Sequence, residues 1–303
     1  MAPVLGYRTT ALQALRGADL TGKTAVITGG NSGLGVETAR ALAHAGARVI
    51  LTSRKVSAGE EVVTKLRSDG VKGSLHVQQL DLADLSSVKA LVKQLQLEDS
   101  IDMLILNAGV AAVPLSYTKD NFEIQIGTNH FGHFALVAGL MDKLKQQDTP
   151  VRIVAVASLA HMLGGFDMDD LHFRRRSYYR LKGYGQSKLC NILFAKELAR
   201  RTEGTNIEAF SLHPGTIATN LSRHVGLVGS VANLGLSWFS KSTEQGAATS
   251  VYAATAPELS GQSGAYLQDC HIAQPSSQAQ DAALAQQLWT VTEQQLADPA
   301  SRT

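Results

Sequence analysis

The sequence has little of several features that would point to other kinds of protein. Its 303 residues include only two cysteines, Cys190 and Cys270, which excludes a disulfide framework and a cysteine metal cluster and favours a reducing compartment. Each cysteine is expected to be a small buried hydrophobic residue. The net charge of +2 argues against nucleic acid as a partner.

Long apolar runs are also missing. No run reaches the roughly 18–20 residues that a membrane-spanning helix needs. The first eighteen residues contain two arginines and no acid, which is faintly like a transit peptide. An N-terminal arm over residues 1–20 that lies on the domain is the preferred interpretation. We expect a soluble, intracellular protein of the cytoplasm or the chloroplast.

The pattern along the chain predicts the α/β class. Hydrophobic residues make up 44% of the sequence, and short apolar runs alternate with helical patterns, as in βαβ units. We predict one doubly wound Rossmann-type domain over residues 21–296, with helices on both faces of a mostly parallel, seven-stranded sheet and a tail at 297–303. The predicted strands are Thr24–Thr28, Arg48–Thr52, Ser74–Leu80, Met103–Leu106, Arg152–Ala157, Ile207–Leu212 and Ala265–Gln268. The predicted helices are Gly33–Ala45, Ala58–Ser68, Leu85–Gln96, Phe131–Lys145, Tyr184–Arg201, Thr243–Ala254 and Ala279–Gln295.

A glycine-rich turn follows the first strand and reads TGGNSGLG over residues 28–35. Gly29 permits a tight turn, Gly33 lets the backbone approach a pyrophosphate, and Gly35 allows close packing of helix on strand. The free N–H groups of the following helix favour phosphate. The residues expected to bind a dinucleotide here are Gly29, Asn31, Ser32, Gly33, Leu34 and Gly35.

The end of the second strand indicates which dinucleotide binds. An NAD site usually has an acid there for the ribose hydroxyls, but this sequence has Ser53, Arg54 and Lys55. The planar fork of Arg54 suits a 2′-phosphate. We therefore predict that NADP(H) is the cofactor, against the alternative of a solvated basic turn.

Other strand ends supply further candidates for the cofactor site. Asp81 could accept from the adenine amino group or could be the N-cap of the following helix. The small residues of 107–109 leave room for a ribose, and residues 214–216 are expected at the nicotinamide end. The further cofactor candidates are Asp81, Leu82, Asn107, Ala108, Gly109, Pro214, Gly215, Thr216 and Thr219.

Tyr184 and Lys188 are four residues apart, so on a helix they share one face. A phenol titrates near pH ~10, and a fixed ammonium nearby lowers that pKa. The pair could therefore give a proton to a carbonyl oxygen or take one from an alcohol.

Taken in order, these motifs resemble the short-chain dehydrogenase/reductase superfamily over roughly residues 20–295. The stretches TNHFGHF at 128–134, SLAH at 158–161 and YGQSKL at 184–189 look like its retinol dehydrogenase branch, which includes a WW-domain oxidoreductase. The sequence YGQSK at 184–188, with Pro275-Ser276-Ser277, looks closest to plant chloroplast-envelope members.

The resemblance implies a catalytic tetrad. Tyr184 would be the general acid/base, and Lys188 would lower its pKa and hold the nicotinamide ribose. Ser158 would bind the substrate oxygen, and Asn129 would hold a water that links Lys188 to solvent. Two departures, at Ala155 and Ala157, remove no member of the tetrad.

Four histidines near these motifs share no metal-ligand spacing, and we predict structural roles for them and no metal. They are His130, His133, His161 and His213. A loop with Arg174, Arg175 and Arg176 could form a rim for an acidic substrate or partner, or could be a solvated loop.

The apolar stretch Ile217–Ser240 is expected to cover the substrate. It could favour a lipid-like carbonyl, rest on a membrane surface as a peripheral contact, or pack on the domain or on a second subunit. Superfamily members commonly pair through the helix containing Tyr184, although the C-terminal helix could cover that surface, so both a monomer and a homodimer stay open.

The sequence thus predicts an NADP(H)-dependent oxidoreductase that interconverts a small lipophilic aldehyde or ketone and its alcohol, with reduction dominant. One alternative is an NADP(H)-sensing regulatory or scaffold protein of a chloroplast-envelope complex. A weaker alternative is a reductase of a tetrapyrrole or a quinone.

Overall fold

The computed structural model describes residues 4–216, 240–298 and 300. A single sheet crosses the molecule in the order β3-β2-β1-β4-β5-β6-β7-β8. Neighbouring strands from β3 to β7 are parallel, and β8 runs antiparallel to β7. The strands are β1 (Thr24–Ile27), β2 (Arg48–Ser53), β3 (Leu75–Gln79), β4 (Met103–Leu106), β5 (Val151–Val156), β6 (Ile207–His213), β7 (Tyr266–Gln268) and β8 (His271–Ala273).

Helices cover both faces of this sheet. The α-helices of the described part are α1 (Ala11–Ala14), α2 (Gly33–His44), α3 (Val56–Ser68), α4 (Leu85–Leu95), α5 (Ile124–Ile126), α6 (Gly132–Lys145), α7 (Arg180–Arg201), α8 (Thr243–Thr255), α9 (Ser277–Gln280) and α10 (Ala282–Ala297). A π-helical turn, Gly127–Phe131, joins α5 to α6, and a 3₁₀ helix, Leu159–Leu163, follows β5.

The strand order fixes where a ligand can bind. The chain adds β2 and β3 on one side of β1 and then crosses to place β4 on the other side. This reversal opens a crevice at the carboxyl ends of β1 and β4, which is where ligands bind in open α/β sheets. The glycine turn lies directly after β1.

The core lies in layers on the two faces of the sheet. Within β1, Ala25 and Ile27 pack in the layer that contains α2, α3 and α8 residues, whereas Val26 packs in the layer of α4, α6 and α7. All four residues of β1 and of β4 are buried. Complete burial explains why these strands read as continuous apolar runs.

The segments at the two ends of the described chain pack on the domain. Leu5, Ala11 and Ala14 are buried in the same core layer as α2 and α8. At the other end, the indole of Trp289 on α10 stacks on Phe194 of α7, with ring centroids 5.8 Å apart and an interplanar angle of 4°. Helix α10 therefore covers part of α7.

The predicted architecture is confirmed, with one strand added. The sequence predicted seven strands, and the structure has eight. Strand β8 follows a two-residue hairpin turn at Asp269 and Cys270, which have φ angles of 52° and 61°. Such turns are usually Asn-Gly, so this one carries no strong sequence signal.

Two predicted helices differ most from the observed ones. Helix α7 begins at Arg180 instead of Tyr184, and the predicted helix Ala279–Gln295 is divided at Asp281, which ends α9 and caps α10. Both cysteines are buried, as predicted. Among the described residues, no helix combines the length and the apolarity required to cross a bilayer.

Trp289→Ala should destabilise the protein by about 3–5 kcal/mol, because it removes a large buried ring between α7 and α10. Urea unfolding would measure this loss. The matched control is Leu97→Ala, since the Leu97 side chain is 78% exposed and should change stability by about 0.5 kcal/mol or less. Equal effects of the two substitutions would contradict the packing role of α10.

Candidate active site

The glycine turn is held against β4 by close backbone packing. Gly29 has a φ of +67°, and a Cβ there would lie 2.9 Å from Cα of Ala108. A Cβ at Gly35 would lie 2.4 Å from the carbonyl oxygen of Gly29. Asn107 donates its amide to the carbonyls of Thr28 (2.8 Å) and Gly29 (3.3 Å). Asn107 thus braces the turn, a role that the sequence did not reveal.

The start of α2 is open to a ligand. Gly33 has a φ of +54°, and a Cβ there would meet no atom within 4 Å. Ser32 is the N-cap, but its side chain makes no capping hydrogen bond, and the first turn of α2 contains no acid. Asn31 and Leu34 are partly buried beside it. The free N–H groups and the helix dipole therefore suit a phosphate group, as predicted for this turn.

The basic end of β2 adjoins the same turn. Gly30 donates its N–H to the carbonyl of Thr52 at 3.0 Å. Ser53 is buried, and its hydroxyl donates to the carbonyl of Lys55. The side chains of Arg54 and Lys55 are exposed, and neither side chain makes a hydrogen bond or an ion pair with another described residue. Both cations are therefore available beside the turn.

Asp81 and Leu82 follow β3, farther along the same edge. The N-cap interpretation of Asp81 is wrong, because Asp84 caps α4 by accepting from the N–H of Ser86 at 2.8 Å. Asp81 instead accepts from the N–H of Ala83. Leu82 is buried, with its side chain in the core.

Asn129 lies in the π-helical turn and is fully buried. Its amide oxygen accepts from the N–H of Val110 (2.8 Å), and its amide nitrogen donates to the carbonyl of Val110 (2.9 Å) and the hydroxyl of Ser187 (2.9 Å). A Cβ at Gly109 would lie 3.0 Å from Oδ1 of Asn129 and 3.6 Å from Nζ of Lys188. The π turn thus brings Asn129 to the lysine end of the site.

Ser158 and Tyr184 meet after β5. Ser158 caps the 3₁₀ helix Leu159–Leu163 by accepting from the N–H of Ala160 at 3.2 Å, and its hydroxyl lies near the phenol of Tyr184. Burial raises the pKa of Tyr184, and the nearby Ser158 hydroxyl opposes that rise. This direction is opposite to the one predicted from the charge of Lys188.

The ammonium of Lys188 is buried beside them. Its Nζ donates to the carbonyl of Val156 at 2.9 Å and lies 5.7 Å from the ring centroid of Tyr184. Burial lowers the pKa of Lys188 to about 8. Because Lys188 bonds a carbonyl and not the phenol, its charge does not overcome the effect of burial on Tyr184.

Two histidines hold the serine in place. The ring of His161 links the carbonyl of Ser158 (2.7 Å) to the N–H of Ser276 (3.0 Å). His213 accepts from the N–H of Leu159 at 3.3 Å. Burial lowers the pKa of both rings, that of His213 to about 4, so they are neutral connectors at pH 7.

The segment after β6 closes the same edge. Pro214 is buried, and Gly215 has a φ of +97° and packs on Lys241, whose N–H donates to the carbonyl of Thr216. Thr219 and the predicted substrate cover at 217–239 lie outside the described residues.

The arginine loop is anchored to the protein, although Arg174 and Arg175 are exposed to solvent, as the interpretation of a solvated loop expected. The carboxylate of Asp170 accepts hydrogen bonds from the backbone N–H groups of Arg174, Arg175 and Arg176. The guanidinium of Arg174 lies 3.8 Å from the ring centroid of Tyr117. The loop is therefore tied to the protein, and its arginines have structural contacts.

Lys188→Met should stabilise the protein at neutral pH. The folded pKa of Lys188, about 8, lies below its ordinary value of 10.5. Below pH 8 the fold therefore buries an ammonium at a cost on the order of 3 kcal/mol. Between these two pKa values the unfolded state binds more protons than the folded state, so the stability of the wild type rises with pH. The stability difference between Lys188→Met and the wild type should therefore shrink towards pH 10.

Thermal unfolding at pH 7 and pH 10 would measure this change. The control is Lys182→Met, which removes an exposed lysine from the same helix. A lower melting temperature for Lys188→Met than for the wild type at pH 7 would show that the burial cost is absent.

Comparison with known proteins agrees with this geometry. The sequence profile of the short chain dehydrogenase family matches residues 23–227. Retinol dehydrogenase 14 of Homo sapiens is 44% identical over 299 residues, covering 92% of this chain and 88% of that protein. The WW domain-containing oxidoreductase of Drosophila melanogaster is 39% identical over 298 residues, covering 95% and 72%.

A solved structure shares the fold. The crystal structure of an uncharacterized protein from Mycobacterium Paratuberculosis has a TM-score of 0.74 and 37% identity, and the match covers 91% of this chain and 94% of that one. The closer likeness to plant chloroplast-envelope members is not shown by these relatives and stays a prediction. The chain is an oxidoreductase that belongs to the short chain dehydrogenase family, in its retinol dehydrogenase-like branch.

Proposed function

We propose that this protein uses NADP(H) to reduce a lipophilic aldehyde or ketone and, in reverse, to oxidise the corresponding alcohol. The observation that carries the proposal is the placement of the Ser158 hydroxyl and the Tyr184 phenol beside the buried ammonium of Lys188. This set lies at the sheet edge that also holds the glycine turn. The arrangement suits proton transfer to an oxygen next to a bound dinucleotide.

Each residue of the tetrad has a distinct part. Ser158 and Tyr184 donate to the substrate oxygen as negative charge develops on it, and Tyr184 then transfers its proton. Lys188 supplies a positive field and a donor for the nicotinamide ribose, and Asn129 would position the water that returns a proton. The cofactor, when bound, supplies the hydride.

The preference for NADP(H) follows from the end of β2. Arg54 and Lys55 are exposed beside the glycine turn, where an acid would otherwise accept from the ribose hydroxyls of NAD. A guanidinium forms two parallel hydrogen bonds to a phosphate. The exposure of both side chains supports a contact with the 2′-phosphate.

Exposed apolar side chains beside the tetrad support a lipophilic substrate. Met162 (55% exposed) and Leu163 (51%) follow Ser158, and Tyr179 (59%) and Leu181 (55%) precede Tyr184. The similarity to retinol dehydrogenases supports retinol-like alcohols. The same apolar surface would also allow a peripheral contact with a membrane.

Catalysis is favoured over the sensing scaffold because the tetrad is complete, and no contact in the described residues favours a tetrapyrrole or a quinone. Since α10 covers part of α7, a monomer is favoured over a dimer formed through α7.

Fluorescence titration with NADPH and NADH, followed by NADPH oxidation with a panel of aldehydes, ketones and quinones, would test the proposal. Tight NADPH binding with turnover of apolar carbonyls is expected. Binding without any turnover would favour the scaffold, and failure to bind either nucleotide would overturn the cofactor assignment.

Tyr184→Phe should abolish turnover while NADPH binding stays nearly intact, because only the proton donor is lost. Steady-state kinetics and a binding titration would separate the two effects. Tyr179→Phe is the matched control, since it removes a phenol from an exposed side chain near the same helix end. Substantial turnover by Tyr184→Phe would refute the acid/base role.

Arg54→Ala should raise the Kd for NADPH roughly 10- to 100-fold, the loss of a charge-assisted contact, and leave NADH nearly unchanged. Arg175→Ala removes another exposed arginine and should change neither value. An equal loss of affinity for both nucleotides would remove the argument for a 2′-phosphate contact.

A further inference from the structure

His133 is a buried residue beneath the site that the proposed chemistry does not use. It lies on α6, and its side chain is almost completely inaccessible. Its Nε2 atom lies 2.8 Å from the hydroxyl of Thr28, and its Nδ1 atom lies 2.9 Å from the carbonyl oxygen of Asn129. Both ring nitrogens are therefore engaged, and by residues at opposite parts of the site.

The partners determine where the protons lie. A carbonyl oxygen only accepts, so Nδ1 carries the hydrogen and donates to Asn129. Nε2 then has a lone pair and accepts from the hydroxyl of Thr28. This assignment requires a neutral ring, and burial lowers the pKa of His133 to about 4. The charged or titratable neighbours that act on it are Lys188 and His130.

Thr28 extends the chain towards the cofactor turn. Its hydroxyl accepts from the N–H of Ala108 at 3.0 Å, and its own carbonyl is held by Asn107. The hydrogen bonds thus run in one direction, from Ala108 through Thr28 and His133 to the carbonyl of Asn129. The carbonyl of Ile105, 3.4 Å from the Thr28 hydroxyl, is a second and longer acceptor, so the shorter bond to His133 is the one that links the turn to Asn129.

Asn129 continues the connection to the catalytic helix. Its amide donates to the hydroxyl of Ser187, the residue before Lys188. We propose that His133 is a positioning residue that ties the cofactor-binding turn to the Asn129 end of the tetrad, so that cofactor binding and placement of the proton-transfer groups depend on each other. This inference rests on the proposed NADP(H) function.

A cycle of two substitutions would test the connection. Thr28→Val removes the hydroxyl while keeping the shape, and His133→Leu removes both ring contacts. Each single variant should raise the Kd for NADPH roughly tenfold and lower kcat by up to about 100-fold, the effect of small misplacement at a reacting centre. The double variant should lose little more than the worse single variant, because both act through one chain.

Two comparisons separate positioning from general stability. His130→Leu removes another fully buried histidine, one that bonds Thr292 of α10 instead of the site. His130→Leu should lower the melting temperature without changing the Kd for NADPH or the pH dependence of kcat. His133→Leu should change both the Kd and the pH dependence. Thr28→Ser, which keeps the hydroxyl, should restore most of the affinity lost in Thr28→Val.

The outcomes are distinct from those that test the function itself. The positioning role would be overturned if the losses of NADPH affinity and kcat in the two single variants multiplied in the double variant. It would also be overturned if His133→Leu lowered only the melting temperature. If the wild type binds NADPH but turns over no carbonyl, the proposed reaction fails. The binding cycle would then still decide whether His133 couples the turn to the site.

Discussion

The contact between the ends of β1 and β4 is the constraint on which the site depends. Asn107 holds the carbonyls of Thr28 and Gly29, and the backbones there are close enough that a Cβ at Gly29 would overlap Ala108. This contact lies at the reversal of strand order, where the crevice opens. The glycine turn and the proposed catalytic residues share an edge because β1, β4 and β5 are neighbours in the sheet.

Burial shifts the pKa values of Tyr184 and Lys188 in directions that oppose the proposed proton transfer. Lys188 is buried with its ammonium on a carbonyl, and the phenol of Tyr184 is raised in pKa by the same exclusion of water. Exclusion of water strengthens the electrostatic interactions made with a developing alkoxide. In the proposed reaction, the free energy lost by burying the Lys188 charge would accompany a stronger field at the substrate oxygen.

Local motifs were readable from the sequence, whereas long-range partners were not. The glycine turn, the basic end of β2 and the placement of Tyr184 with Lys188 each depend on a few adjacent residues, and the structure places them at one edge. Asp84 and not Asp81 is the N-cap because Asp84 directly precedes Leu85, the first residue of α4, whereas Asp81 lies three residues earlier in the loop. The bond between His133 and Thr28 joins positions 105 residues apart, so no local pattern could indicate it.

The buried histidines explain how the site keeps its geometry. Burial lowers the pKa of His130, His133, His161 and His213, so all four are neutral at pH 7. A neutral imidazole has one donor and one acceptor on a rigid ring, and it fixes the direction of the hydrogen bonds that it joins. At His133 and His161 such rings connect residues of the site without adding charge. In the proposed reaction, these rings would hold the site together without contributing to the electrostatic field that Lys188 supplies at the substrate oxygen.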